Sequence, residues 1–281
     1  MKRGTAPFSR KRFGQNFLES PWADKVVAAI APAATDTFLE IGPGRGALTR
    51  PLAARAGRVI AFEIDRDLAA DMAAEPPPNV TVVPGDFLDV SAERLEHVTG
   101  DWRLATGDSR RLRVAGNLPY NVASPIMFKL VELYAAGLPV TDATLMLQRE
   151  VADRLIAAPG SKDYGVLSIL IGHSASVERI LALPPGAFRP VPKVRSALVR
   201  LRFHPPDPPV RDAALFAGMV QAIFTRRRKT LANALLAFPP AAAKTPARTL
   251  AAAGIDGARR PEMLAISELA RLADTLAAEP R

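Results

Sequence analysis

Asn117-Leu118-Pro119-Tyr120 unites an amide, a turn-forming proline and an aromatic ring in four consecutive residues. That set suits the alkylation of an exocyclic purine amine, a poor nucleophile because its lone pair is delocalised into the ring. The Asn117 side-chain oxygen and the Leu118 backbone carbonyl can each accept one of the two N–H bonds. The nitrogen lone pair is then turned towards an electrophilic methyl group, and the positive charge that develops is stabilised. Pro119 has no N–H to donate and fixes the turn, so the preceding carbonyl faces outwards. Tyr120 can stack on the base, a contact worth about 1–3 kcal/mol. No strong general base is needed, because the amine becomes acidic once it is methylated. Catalysis would come mainly from alignment of amine, methyl and leaving atom. Taken alone, the tetrapeptide also reads as an ordinary proline turn.

A second aromatic, Phe188, lies in the stiff segment Gly186-Ala187-Phe188-Arg189-Pro190-Val191-Pro192-Lys193. It is expected to cover the other face of an unpaired or flipped base. The competing reading is a core phenylalanine.

Phe38-Leu39-Glu40-Ile41-Gly42-Pro43-Gly44-Arg45-Gly46 runs from an apolar strand into a glycine turn and then a helix. Glycines such as Gly42 and Gly44 permit the turn and let a ligand touch backbone. The spacing is G-x-G-x-G, not the G-x-G-x-x-G of a dinucleotide fold. A nicotinamide-dependent dehydrogenase is thereby disfavoured. Glu63, at the end of the next strand, is placed to accept hydrogen bonds from two ribose hydroxyls, while the neighbouring Asp65 better suits a helix cap. Asp86, after the third strand, can accept from an adenine amino group, with Phe87 or Leu88 packed on the ring. Together these predict an adenosine-containing cofactor without a pyrophosphate, and S-adenosyl-L-methionine fits.

These residues need a scaffold that brings successive strand ends together. From about residue 22 to 150, β-branched runs alternate with helical stretches, the pattern of a mostly parallel α/β sheet. Strands are expected at Thr37–Ile41, Val59–Ile64, Val80–Val83, Arg113–Gly116 and Ala143–Leu147. Helices are expected at Trp22–Ile30, Ala47–Ala56 and Ile126–Ala135, with two more after Gln148. Ser176–Leu183 and Ser196–Phe203 read as an antiparallel pair at the sheet edge. His204-Pro-Pro-Asp-Pro-Pro reads as a stiff linker. The expected division is a catalytic domain over 1–205 and a small helical domain over 206–281. In the latter a helix is expected from Ala217 to Leu236.

The chain has 281 residues, with 37 Lys and Arg against 28 Asp and Glu, a net charge of +9. The excess is clustered. Lys2, Arg3, Arg10, Lys11 and Arg12 open the chain without an acid; Arg189, Lys193, Arg195, Arg200 and Arg202 form a second group; Arg226, Arg227, Arg228 and Lys229 form a third. Such clusters suit a polyanion, since each neutralised phosphate releases counterions, though a solvated basic surface reads the same way. Cysteine is absent, which excludes disulfides and thiolate metal sites. The three histidines show no ligand spacing, and no metal is expected. No apolar run reaches membrane-spanning length, and the N-terminus lacks the apolar core of a secretory signal. A cytoplasmic monomer is the expectation.

RFGQNFL, EIGPGRGALT, FEIDRDLA, GDFL, GNLPYNVASPI, QREVADRL, DYGVLSIL, FRPVPKVRSALVRL and FTRRRKTLANAL occur in that order. Along almost its whole length the chain resembles the KsgA-type ribosomal RNA adenine dimethyltransferases. NLPY also occurs in the erythromycin-resistance methyltransferases, whereas PVPKVRSA and TRRRKTL look more like the KsgA branch. The resemblance implies a Rossmann-like methyltransferase domain with a helical C-terminal domain. It implies dimethylation of N6 on two adjacent adenosines near the 3′ end of 16S rRNA, in an immature small ribosomal subunit. It further implies that Asn16, Leu18, Gly42, Glu63, Asp86 and Asn117 contact the cofactor or its surroundings. Arg10, Lys11, Arg12, Arg189, Lys193, Arg195, Arg226, Arg227, Arg228 and Lys229 are expected to meet the RNA backbone. A non-catalytic ribosome-assembly factor and a large-subunit resistance methyltransferase are the alternatives.

Overall fold

The structure, a computed structural model, describes residues 16–99, 112–239 and 245–278. Strands β2 (Thr37–Ile41), β3 (Arg58–Glu63), β4 (Val80–Pro84), β5 (Leu112–Asn117) and β6 (Val140–Gln148) pair in parallel in the order β4-β3-β2-β5-β6. The antiparallel pair β7 (Ala175–Leu183) and β9 (Ser196–Phe203) completes a seven-stranded sheet. β9 inserts between β6 and β7, so β7 forms the edge. A separate two-stranded ribbon joins β1 (Phe17–Leu18) to β8 (Phe188–Arg189), with Leu18 opposite Phe188. The five parallel strands fall within a few residues of their expected places; β2, β3 and β5 are buried on both faces, as covered parallel strands require, while β4 at the edge leaves Thr81 and Pro84 exposed.

Helices cover both faces of the sheet. α1 (Ser20–Ile30) packs Val26, Val27 and Ile30 against one face, with Phe38, Val59 and Leu198. The helix Ala123–Ala135 packs Met127 and Leu130 against the other, with Ile60, Val114 and Leu145. At the N-terminal edge of the sheet, Arg113 is buried between Asp142 and Asp36, each 2.9 Å away. It also donates to the Ile30 and Ala31 carbonyls at the end of α1. Arg200 caps the same helix end through the Ala29 carbonyl at 2.7 Å, and Arg202 pairs with Glu178. Arg189 of the same basic group pairs with Glu19 at 3.9 Å, so three of its five cations bond within the fold.

Two sequence expectations are corrected. The helix after the glycine turn, α2, spans only Thr49–Ala53. The left-handed backbone of Gly44 (φ 58°) and Gly46 (φ 79°) belongs to a run of turns over 44–48, and residues 54–55 turn again, so the helix is trimmed at both ends. The helix expected over Ala217–Leu236 is two helices, Ala213–Phe224 and Leu231–Leu235. Residues 225–230 form turns between them. The Thr225 hydroxyl bonds back to the Ala222 carbonyl, and four adjacent cations favour no regular helical turn. The C-terminal helices share an apolar cluster with Tyr164 and Ile169, and no strand follows Phe203 among the described residues. None of the described helices is long and apolar enough to cross a membrane.

Candidate active site

The C-terminal ends of β2 to β5 open into one cleft, lined by Gly42, Gly44, Glu63, Asp86, Asn117, Leu118, Pro119 and Tyr120, with Asn16 and Leu18 across it. Gly42 (φ 71°) donates its N–H to the Phe62 carbonyl at 2.9 Å, which seats the turn against β3. At Gly44 (φ 58°) the left-handed backbone favours glycine, and a Cβ would also crowd the Phe17 ring at 3.1 Å. Arg45 lies over the same ring, 4.7 Å from its centre.

Glu63 is 2% exposed. Its Oε2 accepts from Gly44 N at 2.9 Å and its Oε1 from Asp65 N at 3.0 Å. Burial pushes its carboxyl above the usual range, against the pull of these backbone donors. Each oxygen keeps a lone pair for a ligand hydroxyl. Asp65 caps the helix Arg66–Ala74, as its position suggested. Asp86 Oδ1 accepts from Leu88 N at 2.9 Å, and its second oxygen has no partner among the described residues. Phe87 is buried edge-to-face against Phe62, with ring centres 5.4 Å apart, beneath the cleft floor. The open apolar side chain on this wall is Ile64, 43% exposed, which the sequence reading did not single out.

Glu40 was also missed. It is 1% exposed, lines the cleft, and its Oε2 has no hydrogen-bond partner. Burial pushes its carboxyl up to about 8, against the Thr49 hydroxyl and with the Glu63 charge adding to the rise. A usable signal existed: an acid inside an otherwise apolar parallel strand must answer to some partner.

The tetrapeptide Asn117–Tyr120 is held at the end of β5. Gly116 lets β5 lie close to β2, for a Cβ there would come within 2.8 Å of the Ile41 carbonyl. Asn117 Nδ2 donates to the Asn16 carbonyl at 2.7 Å. Only the NH2 end of an amide can make that bond, so Oδ1 is left as the acceptor. The Leu118 side chain is buried in the core, and Pro119 closes a turn by accepting from Val122 N at 3.1 Å. Tyr120 is half-buried beside the same opening.

Phe188 is not brought to the cleft. It is 1% exposed and packs in the cluster with Leu18, Leu183 and Leu198. The expected clamp over the base is therefore corrected to a core residue; its ring gains more from burial than from solvent. Arg189, Lys193 and Arg195 are exposed on the loop after it. In the third basic group, Arg226, Arg228 and Lys229 are exposed, but Arg227 binds Glu262 at 2.8 Å and the Lys162 carbonyl at 3.0 Å. The expected helical band of charge is thus a turn, with Arg227 tied into the protein by an ion pair and Arg226 donating to the Asn233 carbonyl at 3.3 Å. Arg10, Lys11 and Arg12 lie outside the described residues.

A Rossmann-like sheet with a glycine turn, two strand-end acids and this tetrapeptide gathered in one cleft defines the chain as a methyltransferase. Residues 8–277 match the family model described as ribosomal RNA adenine dimethylase, and the chain belongs to that family. It is an rRNA adenine dimethyltransferase. It is 44% identical over 274 residues to the ribosomal RNA small subunit methyltransferase A of Anaeromyxobacter dehalogenans, covering 94% of this chain and 92% of that one. The 23S rRNA methyltransferase ErmE superimposes with a TM-score of 0.59 at 26% identity, over 93% of this chain and 100% of that one. A dimethyladenosine transferase from Plasmodium falciparum shares the fold, with a TM-score of 0.70 at 24% identity over 91% and 95% of the two chains.

Proposed function

We propose that this enzyme uses S-adenosyl-L-methionine to dimethylate N6 of two adjacent adenosines near the 3′ end of 16S rRNA, in immature small subunits in the cytoplasm, as a monomer. The higher identity to a small-subunit enzyme than to ErmE supports that substrate over the large subunit. The observation that carries the chemistry is the orientation of the Asn117 amide, whose Nδ2 is spent on Asn16 and whose Oδ1 remains to accept.

The cleft suits the cofactor chemically. The unpartnered, buried Glu40 oxygen matches the ammonium of an amino acid, Glu63 the ribose hydroxyls, Asp86 the adenine amine, and the open Ile64 the face of the adenine. When bound, S-adenosylmethionine supplies a methyl group activated by its sulfonium. Asn117 Oδ1 and the Leu118 carbonyl accept the two N–H bonds of the target amine, while Tyr120 holds the base by stacking. The two acceptors would stabilise the positive charge that N6 gains on alkylation, and water would take its proton. Exposed Arg189, Lys193, Arg195, Arg226, Arg228 and Lys229 offer the rRNA phosphates a basic surface.

Asn117→Ala is expected to lower kcat by at least about 100-fold, as loss of a charge-stabilising group does. Cofactor affinity by calorimetry should change little. Methyl transfer from labelled cofactor to small subunits at the wild-type rate would sink the mechanism.

A further inference from the structure

Taking the cleft as the adenine site proposed above, we infer that Ser196 is a positioning residue for methyl transfer, its hydroxyl holding the Tyr120 ring at the angle at which the target base is received. Ser196 does not line the cleft. It is 3% exposed, and its Oγ lies 3.3 Å from the Tyr120 hydroxyl. The two hydroxyls have no other partner among the described residues. A buried hydroxyl without a partner is costly, so packing alone would be served better by alanine, the residue that follows at 197.

The two ends of this contact differ in stiffness. Ser196 is the first residue of β9 and is paired on both sides, with Gln148 of β6 and Leu183 of β7. The residue before it is also anchored, for the Arg195 carbonyl accepts from Arg149 N at 2.9 Å. Tyr120 instead sits on the turn after Pro119. The sheet therefore fixes the oxygen, and the ring takes its angle from it. A separation of 3.3 Å is long for two hydroxyls. Contacts of this kind tighten once substrate is in place.

The same residue joins the site to the RNA surface. Loop 189–195 presents the exposed Arg189, Lys193 and Arg195 and ends at Ser196. Phosphates that engage this loop are one peptide and one hydrogen bond away from the ring that receives the base.

The test is a double-mutant cycle of Ser196→Ala and Tyr120→Phe, read as kcat and KM on immature small subunits, with cofactor Kd and thermal midpoint measured for each protein. Ser196→Ala should lower kcat about five-fold, the rate equivalent of one neutral hydrogen bond. Cofactor Kd and the thermal midpoint should stay at wild-type values. In the Tyr120→Phe background, Ser196→Ala should cost nothing further. Losses that multiply in the double variant, a lowered thermal midpoint, or an unchanged kcat would each overturn the role of Ser196. A wild-type protein that methylates no adenine would instead overturn the reading of the cleft itself.

Discussion

Two buried acids share one cleft but are held in opposite ways. Glu63 spends part of both oxygens on Gly44 and Asp65 backbone, while Glu40 has an oxygen with no partner. Burial raises the Glu40 carboxyl from 4.5 to about 8, so between those values the folded protein holds a proton that the unfolded chain releases. Stability from this group is present at low pH and is lost as pH rises towards 8. An ammonium placed against Glu40 would favour the ionised form and expel the proton. Cofactor binding at pH 7 should therefore release close to one proton, and affinity should rise with pH up to about 8. Calorimetry in buffers of different ionisation enthalpy measures the release. Glu40→Gln should abolish it, and a wild type that releases no proton would remove Glu40 from the ammonium site.

At the scale of elements, the strand ends make the site and the strand beginnings hold it level. Arg113 clamps Asp36, Asp142 and the end of α1 at the edge of the sheet opposite the cleft. Arg113→Leu would leave both acids buried without a cation and is expected to cost about 3–5 kcal/mol of unfolding free energy in urea. Asp142 Oδ1 already lacks a partner. Cofactor affinity at 25 °C should hold, because the glycine turn and Glu63 sit at the other strand ends. A loss below about 1 kcal/mol would mean that solvent, not Arg113, satisfies those acids.

The parallel strands and the residues at their tips were legible in the sequence because period, length and glycine punctuation agreed there. Asn117, Glu63 and Asp86 fall in one cleft for that reason. Phe188 was misjudged because a stiff proline loop says nothing about which side of it faces the core. The cross-chain bond from Asn117 to Asn16 spans 101 positions, and no local pattern encodes such a meeting. The turn at 225–230 was hidden by good helix formers on both sides; what breaks the helix there includes long-range ties to Glu262 and Lys162.

At the scale of the whole molecule, charge divides into cations that hold the fold and cations that face outwards. Arg113, Arg200 and Arg227 belong to the first kind and Arg228 and Lys229 to the second, while the exposed Arg189 and Arg226 also bond to Glu19 and to the Asn233 carbonyl. Replacing Arg226, Arg228 and Lys229 together with alanine should weaken small-subunit binding. Its salt dependence should become shallower by about one logarithmic unit for each phosphate no longer neutralised. Arg227→Ala should leave that slope alone and lower the thermal midpoint. Equal slopes for wild type and triple variant would take this turn off the RNA surface.

The ribbon between β1 and β8 ties Leu18 to Phe188, 170 positions later. During translation, the sheet from β2 to β6 can emerge and pair well before that partner exists. A growing chain that stops short of Phe188 has its glycine turn and its strand-end acids, yet nothing to pin Asn16 over Asn117. Competence is therefore a late event in biosynthesis, and truncated products of stalled synthesis should be poor modifiers of any ribosome they meet.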